Sequence, residues 1–142
     1  MAQDRASKNG YLMSLTVLLI DDSKFLRKAN EVALAHAGYR VLVAGDGDEG
    51  LRMARAKLPD VIVLDMMLPK LSGPQLLLAL KQGSATAAIP VIVLSSLAQS
   101  NAPKLISEGA AAYFEKSKLG LASGSGELIR AIEKVLPKVA KA

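Results

Sequence analysis

The sequence predicts an α/β fold, a doubly wound parallel sheet of five strands with five helices. Short apolar runs are separated by segments long enough for amphipathic helices, which is typical of the buried strands of a parallel sheet. Four of these runs are Val17–Ile20, Val61–Leu64, Val91–Leu94 and Ala111–Phe114. Strands and helices alternate strictly along the chain. This pattern favours crossover connections that place helices on both faces of one sheet.

Composition agrees with one domain that has an aliphatic core. The chain has 142 residues, of which 51% are hydrophobic but only 4% aromatic. It contains no cysteine, which excludes disulfides and thiolate metal sites and suits a reducing compartment. No apolar run approaches the roughly 20 residues of a membrane span, and the N-terminus does not resemble a secretory signal. These observations predict a cytoplasmic, single-domain protein.

The net charge of +5 is concentrated near the C-terminus. From Lys116 onward there are six bases and two acids, a balance of +4. A basic last helix could attract an acidic partner, although a solvated helix face explains the same charges. No helix-turn-helix, zinc-finger or aromatic RNA-binding pattern is visible, so we expect no direct binding of nucleic acid.

The first half of the chain contains two strands and two helices. Residues 1–14 are polar and small, which predicts a flexible arm before a domain at 15–142. The first strand is expected over Thr16–Ile20, and the first helix over Ser23–Ala37. The second strand is expected over Arg40–Val43, and the second helix from near Asp46 to a residue before Pro59. The core face predicted for the first helix consists of Leu26, Ala29, Ala33 and Ala37.

Two start signals support these helices. Asp22 or Ser23 could cap the first helix, since both residue types are common N-caps. Asp46 and Glu49 have the spacing of an N-cap and the third helical residue, which is typical of a helix start.

The second half contains three further strand–helix units. The third helix is expected to start near Gly73 and Pro74 and to end by Gly83, with Leu76, Leu77 and Leu80 in the core. Its strand is Val61–Leu64. The later elements are predicted as a strand over Val91–Leu94, a short helix over Ser100–Glu108, a strand over Ala111–Phe114 and a helix over Gly126–Ala140.

Polar residues follow the apolar runs where the strands end. Asp21 and Asp22 follow the first strand, Asp65 the third, and Ser95 the fourth, and Lys116 comes shortly after the fifth. Because the carboxyl ends of parallel strands line one crevice, these side chains are expected to converge. Carboxylates are the ligands that Mg²⁺ prefers, and one could act as a nucleophile toward phosphorus. A hydroxyl and an ammonium could bind phosphoryl oxygens.

Each of these residues also has an ordinary structural explanation. An aspartate after a strand is commonly a helix cap or a turn residue, and a single lysine is commonly exposed. His36 is the only histidine, and a helical surface position explains it. Each explanation is reasonable for a single residue. That all of these polar residues are merely structural, although they follow adjacent strands, is much less expected than that they form one functional site.

The combined pattern resembles the receiver domain of two-component response regulators. The matching pieces are Asp21-Asp22 after VLLI, the segment from Asp65 to Gly73 (DMMLPKLSG), Ser95-Ser96 after VIVL, and Tyr113-Phe-Glu-Lys116. The resemblance covers about residues 15–140. It implies a flavodoxin-like sheet with strand order 2-1-3-4-5 and a single-domain regulator of the chemotaxis type, without output domain.

The resemblance also implies roles for individual residues. Asp65 would accept a phosphoryl group from a phosphohistidine of a sensor histidine kinase or histidine phosphotransfer protein. Mg²⁺ would be bound by Asp22 directly, by Asp21 mainly through water, by Asp65 and by the backbone carbonyl of Met67. The positions that bind the phosphoryl group or switch with it would be Ser95, Ser96, Tyr113 and Lys116. Such a domain would not be an enzyme acting on other substrates.

Three departures from the family pattern lead to further expectations. Lys116-Ser117 stands where the family usually has Lys-Pro with a cis peptide, so the aim of Lys116 and the start of the last helix are open. The segment from Ser95 to Gly109 is about one residue short, which predicts a short or mobile fourth helix. Met67 and Leu97 are apolar at positions flanking the path of the attacking water, which predicts a long-lived phosphoryl group.

The predicted function is therefore a Mg²⁺-dependent phosphorylation switch. Its output would be the face made by the fourth helix, the fifth strand and the fifth helix, which would bind a downstream protein or pass the signal through a phosphorelay. One alternative is a docking module of the same fold that does not use phosphorylation. The other is a phosphatase with an aspartyl nucleophile; its usual second aspartate is replaced here by Met67, which argues against it.

Overall fold

The computed structural model describes residues 15–66, 68–95, 102–115 and 124–136. The expected arm at 1–14 lies outside these residues. Within them the strands form one parallel sheet in the order β2-β1-β3-β4-β5, which confirms the predicted fold class and order. The strands are β1 (Thr16–Ile20), β2 (Arg40–Ala44), β3 (Val61–Asp65), β4 (Val91–Ser95) and β5 (Ala112–Glu115). The helices are α1 (Lys24–His36), α2 (Gly47–Lys57), α3 (Gly73–Gln82), α4 (Ala102–Ser107) and α5 (Gly124–Val135).

The boundaries differ most from prediction in the last elements. β5 begins one residue late because Ala111 lies exposed just before the ladder, where its N–H donates to the carbonyl of Val91 at 2.8 Å. α4 is shorter than expected and starts at Ala102. α5 starts at Gly124, before the expected start at Gly126. An apolar run locates an element but not its ends, because end residues contribute little burial.

The inner strands β1, β3 and β4 are buried on both sides, whereas the edge strands β2 and β5 are partly exposed. The core consists of two clusters, one on each face of the sheet. One cluster joins the strands to α2, α3 and α4 through residues such as Ala54, Leu76, Leu80 and Leu105. The other joins them to α1 and α5 through residues such as Leu34, Leu128 and Ile132. The predicted core positions Leu76, Leu77 and Leu80 are fully buried, which confirms them.

The predicted core face of α1 was partly wrong. Leu34 is 1% exposed and is the buried residue of the helix, whereas Ala37 follows the helix end and is exposed. Leu34 fills the core at this point, since a leucine buries more apolar area than an alanine. Phe25 and Val32 are 67% and 50% exposed on the same helix.

The connection between α3 and β4 is fixed by one side chain of α3 and one of the connection itself. The ammonium of Lys81 donates to the carbonyls of Ala87 at 3.0 Å and Ile89 at 2.8 Å. The hydroxyl of Thr86, which is buried, donates to the carbonyl of Leu80 at 2.7 Å. Partial burial lowers the pKa of Lys81. These bonds supply donors to backbone carbonyls at the end of α3 and in the connection, where the regular hydrogen bonds of the helix stop.

Candidate metal and phosphoryl site

Three aspartates lie together at the carboxyl end of the central strands. Asp65 is the last residue of β3, and Asp21 and Asp22 directly follow β1. β1 and β3 are neighbours, with Ile20 paired to Leu64, so the acids come from adjacent positions just beyond this pair. Carboxylate oxygens of the three residues lie within 4.8 Å of one another. The convergence expected from the sequence is therefore present for these three residues.

This cluster has the properties of a site for a hard divalent cation. Asp21 and Asp65 are 0% and 1% exposed, whereas Asp22 is exposed at the rim. Grouped carboxylates repel one another in a poorly hydrated place, and a bound cation offsets that repulsion. Three oxygen donors on one side leave room for waters and a phosphoryl oxygen, which is the environment that Mg²⁺ favours. The residues present thus fit Mg²⁺.

The turn after β1 holds Asp21 in a fixed orientation. Its Oδ1 accepts the N–H of Ser23 at 2.9 Å, and its backbone carbonyl accepts a hydrogen bond from Nη1 of Arg27 at 2.8 Å. Ser23 caps α1 by accepting the N–H of Leu26 at 3.2 Å. Of the two cap candidates, the serine thus has this role, and helix capping does not account for Asp22.

The described residues between Asp65 and α3, namely 66 and 68–72, are anchored at both ends. The N–H of Met66 donates to the carbonyl of Leu94 at 3.0 Å, and the N–H of Gly73 donates to the carbonyl of Met66 at 3.1 Å. Ser72 and Gln75 form a reciprocal capping box at the start of α3. We call this segment the acceptor loop. Its geometry is set by the strand before it and the helix after it.

The start of α2 also contacts the acceptor loop, which the sequence analysis did not foresee. The N–H of Gly47 donates to the carbonyl of Pro69 at 3.4 Å. Lys70, which has a left-handed backbone with φ 70°, places its ammonium 3.6 Å from Oδ2 of Asp46. The only sequence signal for this contact is the helix-start pattern at Asp46. That pattern predicts an N-cap but does not predict which residues of another segment contact it.

Asp46 is itself well ordered by hydrogen bonds. Its Oδ1 accepts the N–H of Glu49 at 2.8 Å, and the carboxylate of Glu49 accepts the N–H of Gly45 at 3.0 Å. This confirms the predicted N-cap at Asp46. The N–H of Glu49, aided by the nearby ammonium of Lys70, lowers the pKa of Asp46 below its ordinary value. Asp46 therefore stays ionised next to the acceptor loop.

Two of the predicted switch positions, Ser95 and Tyr113, lie on β4 and β5, which follow β3 in the order of the sheet. Tyr113 is 8% exposed in β5 and belongs to the core cluster that contacts α2, α3 and α4. It is paired with Val93, and Ser95 ends β4 two residues further on, paired with Glu115. The backbone of Ser95 is thus at the carboxyl edge, but its side chain is outside what the structure describes. Met67, Ser96, Leu97 and Lys116, with the Lys116-Ser117 peptide, also lie outside the described residues.

Among the described residues, no helix combines the length and the apolar character needed to cross a membrane. The three aspartates lie at the carboxyl edge of the sheet, where parallel α/β folds bind their ligands.

Comparisons with known proteins agree with this architecture. The family model of the response regulator receiver domain matches residues 17–120. The chain is similar to the chemotaxis response regulator CheY4 of Vibrio cholerae, with a TM-score of 0.78 and 26% identity over 87% of this chain and 100% of that one. It is also similar to the receiver domain of a Francisella response regulator, with a TM-score of 0.74 and 31% identity over 84% of this chain and 94% of that one.

Curated relatives match over part of their length. The chain is 43% identical to a gliding motility regulatory protein of Myxococcus xanthus over 75% of this chain and 14% of that protein. It is 40% identical to the protein PilG of Pseudomonas aeruginosa over 58% of this chain and 61% of PilG. The chain spans 31% of a probable transcriptional regulator from Guillardia theta, so it matches one domain of such proteins.

The family match covers most of the chain and all five strands except the first residue of β1, and the acidic cluster lies inside the matched residues. The strand order, the position of the aspartates and the similarity to solved receivers agree with this match. The chain belongs to the receiver domain family of two-component response regulators.

Proposed function

We propose that Asp65 accepts a phosphoryl group and that Asp21, Asp22 and Asp65, with the backbone carbonyl of Met67, bind Mg²⁺. The observation that carries this proposal is the convergence of the three carboxylates within 4.8 Å at the carboxyl edge of the sheet. Asp65 lies at the centre of the sheet order, between β1 and β4, and its backbone is fixed by the ladder. A buried carboxylate with a fixed backbone is a positioned nucleophile.

The phosphoryl group would come from a phosphohistidine of a sensor histidine kinase or a histidine phosphotransfer protein. In this transfer a carboxylate oxygen of Asp65 forms a bond to phosphorus while the bond between phosphorus and the histidine nitrogen breaks. Bound Mg²⁺ would neutralise charge on the phosphoryl oxygens. The chain acts on itself in this chemistry and needs no external ester as substrate, so we do not propose an enzyme. We propose the cytoplasm as its compartment.

The two acids after β1 are suited to different roles. Asp21 is fully buried, and one of its oxygens already accepts the N–H of Ser23. Asp22 is exposed next to it and can reach a hydrated ion without losing such a bond. This difference supports direct binding of the ion by Asp22 and a mainly water-mediated contribution from Asp21.

The signal would pass through Ser95, Ser96, Lys116 and Tyr113 to the face made by α4, β5 and α5. Phosphorylation would shift the equilibrium between two conformations of this face. The size of that shift is limited by the difference in free energy with which the phosphoryl group interacts with the two conformations. A groove of about 460 Å³ between β5 and α5, lined by residues including Phe114, Arg130 and Lys134, gives a partner protein a concave surface. The relatives are named as transcriptional and motility regulators, so they indicate no single downstream target.

The charge on this face is less one-sided than the C-terminal sequence suggested. The described part of α5 carries the acids Glu127 and Glu133 and the bases Arg130 and Lys134. The excess of bases comes from Lys116, Lys118, Lys138 and Lys141, which lie outside the described residues. An acidic partner therefore remains a proposal that depends on those four lysines.

The proposal is tested by titrating the protein with beryllofluoride and Mg²⁺, following amide NMR signals. We expect shifts that start at Asp65 and reach Tyr113 and α4 in the wild type and that are absent in Asp65→Asn. Asp48→Asn is a matched control, because it makes the same change at an exposed aspartate of α2 outside the cluster. The control should respond like the wild type.

Other outcomes separate the alternatives. No response of the wild type at any Mg²⁺ concentration would contradict the proposal and favour a docking module that does not use phosphorylation. Shifts confined to the aspartates would contradict the coupling to Tyr113 and α4 while leaving Mg²⁺ binding in place.

The lifetime of the phosphoryl group is a separate part of the proposal. Met67 and Leu97 are apolar at positions that flank the path of water in the family, so we propose slow hydrolysis. Replacing Met67 with Asn or Glu should speed autodephosphorylation, measured by loss of the label after transfer from a phosphodonor. An unchanged rate would contradict this part alone.

A further inference from the structure

We propose that Gly47, with the Asp46–Lys70 ion pair, positions the acceptor loop for Mg²⁺ binding. The inference rests on the proposed function, since it concerns the same ion. Gly47 lies in α2, in a segment remote in sequence from Asp65, and none of the residue patterns in the chain points to it as part of the site.

The first argument is steric. A side chain at Gly47 would overlap the carbonyl oxygen of Leu71, and its Cβ would lie 2.6 Å from Cβ and 2.7 Å from the carbonyl carbon of Leu71. Two of these three atoms are backbone, which cannot rotate away as the end of a flexible side chain can. Helix α2 therefore touches the acceptor loop directly, and only glycine permits this distance.

The second argument is the set of polar contacts at the same place. The N–H of Gly47 donates to the carbonyl of Pro69, and Asp46 pairs with Lys70. Pro69, Lys70 and Leu71 are consecutive, so three successive residues of the loop contact the first residues of α2. Lys70 keeps a left-handed backbone, which is costly for a residue with a side chain and which the ion pair helps to hold.

The third argument is where the loop leads. The loop begins at Met66, directly after Asp65, and returns to Met66 through the hydrogen bond from Gly73. Residue 67, the expected carbonyl ligand, lies between Met66 and the three contacted residues. If residues 69–71 move, the few residues that connect them to Asp65 must move as well, and these include the expected carbonyl ligand. Mutating a group that orients a metal ligand without touching the metal commonly weakens metal binding by about 10–100-fold.

The test measures the dissociation constant of Mg²⁺ on the unphosphorylated protein, by isothermal titration calorimetry and amide NMR, for the wild type and Gly47→Ala. We expect binding weaker by about tenfold or more in Gly47→Ala, with amide shifts concentrated in residues 68–72. The matched control is Gly126→Ala in α5, where a Cβ would meet only Nη1 of Arg130 at 3.7 Å. The control should bind Mg²⁺ like the wild type.

A merely structural role for Gly47 gives a different result. It would lower the free energy of unfolding, measured in urea, and leave the Mg²⁺ affinity of the folded protein within about twofold of the wild type. That outcome would overturn the inference. A wild type that binds no Mg²⁺ would instead overturn the proposed function, and this inference with it.

A second variant decides the matter if Gly47→Ala does not fold. Lys70→Met keeps an unbranched side chain, shorter than that of lysine by the nitrogen, and removes the charge that pairs with Asp46. We expect Mg²⁺ binding weaker by about two- to fivefold, in line with the worth of an exposed ion pair. An unchanged affinity of Lys70→Met would overturn the inference, and Asp46→Asn should match Lys70→Met without adding to it.

Discussion

Helices α1 and α2 pack on opposite faces of the sheet and do so by opposite means. α1 inserts one large side chain, Leu34, into the core, while Phe25 and Val32 remain exposed. α2 buries small residues, namely Gly47, Gly50 and Ala54, so its backbone approaches the sheet and the acceptor loop closely. The comparison indicates that the packing of α1 depends on one large side chain, whereas the packing of α2 depends on residues with little or no side chain.

The largest expected effect comes from removing the anchor of α1. Leu34→Ala should lower the free energy of unfolding by about 2–5 kcal/mol, because it takes apolar contacts from a closed core and leaves a cavity. Val32→Ala shortens a half-exposed aliphatic side chain two residues earlier and is the matched control. Urea unfolding measures both. A similar loss of unfolding free energy in the two variants would contradict the proposed difference between the buried Leu34 and the exposed Val32.

A smaller effect is expected from adding a methyl group to α2. In Gly50→Ala the new Cβ would lie 2.7 Å from Cδ1 of Ile20, whose side chain is fully buried. Crowding of this kind costs about 1–3 kcal/mol, and the gain in helix propensity of about 1 kcal/mol offsets part of it. We therefore expect a net loss in urea unfolding. A net gain would show that Ile20 can move and that close approach is not required there.

The cap of α2 should give a smaller effect that depends on pH. Asp46 has a lowered pKa in the folded protein, so its carboxylate stabilises the fold above the unfolded pKa of about 4 and loses this effect as pH falls through the folded pKa. Asn caps a helix as well as Asp does. Asp46→Asn should therefore be less stable than the wild type at neutral pH, and the difference should disappear in acid. A constant difference from pH 7 to about pH 3 would contradict the assignment.

The smallest effect is expected at the exposed apolar positions of α1. Phe25→Ser should change the free energy of unfolding by no more than about 0.5 kcal/mol, because the ring is 67% exposed. Thermal and urea unfolding of the variant both measure this. A loss above 1.4 kcal/mol, which is about tenfold in the folding equilibrium, would mean that Phe25 has a buried contact in solution.

The sequence predicted the features that depend on regular patterns. Apolar runs placed the strands, and polar residues at their ends placed Asp21, Asp22 and Asp65 at one edge, because parallel strands end together. The burial of Leu34 was not predicted, because a helical pattern marks several positions of one face and only packing decides which of them lies deepest. The start of α5 at Gly124 was missed because glycine and serine favour loops on average.

The contact between α2 and the acceptor loop could not be predicted for a different reason. Gly47 and Leu71 are far apart in the sequence, and neither belongs to a periodic pattern that names the other. Their distance depends on how closely α2 seats on β1, where Gly50 meets Ile20. Such contacts follow from the summed geometry of several elements, which no local pattern records.

The hydrogen bonds of Lys81 help to decide where a peptide or reporter can be inserted into the protein. Connections between elements are usually the places where an inserted peptide or reporter is tolerated. The connection Gly83–Ile89 should not tolerate one, because an insertion would separate Lys81 from the carbonyls of Ala87 and Ile89 and Thr86 from Leu80. A fluorescent label intended to leave the switch intact is better attached elsewhere, for example at the exposed side of α1.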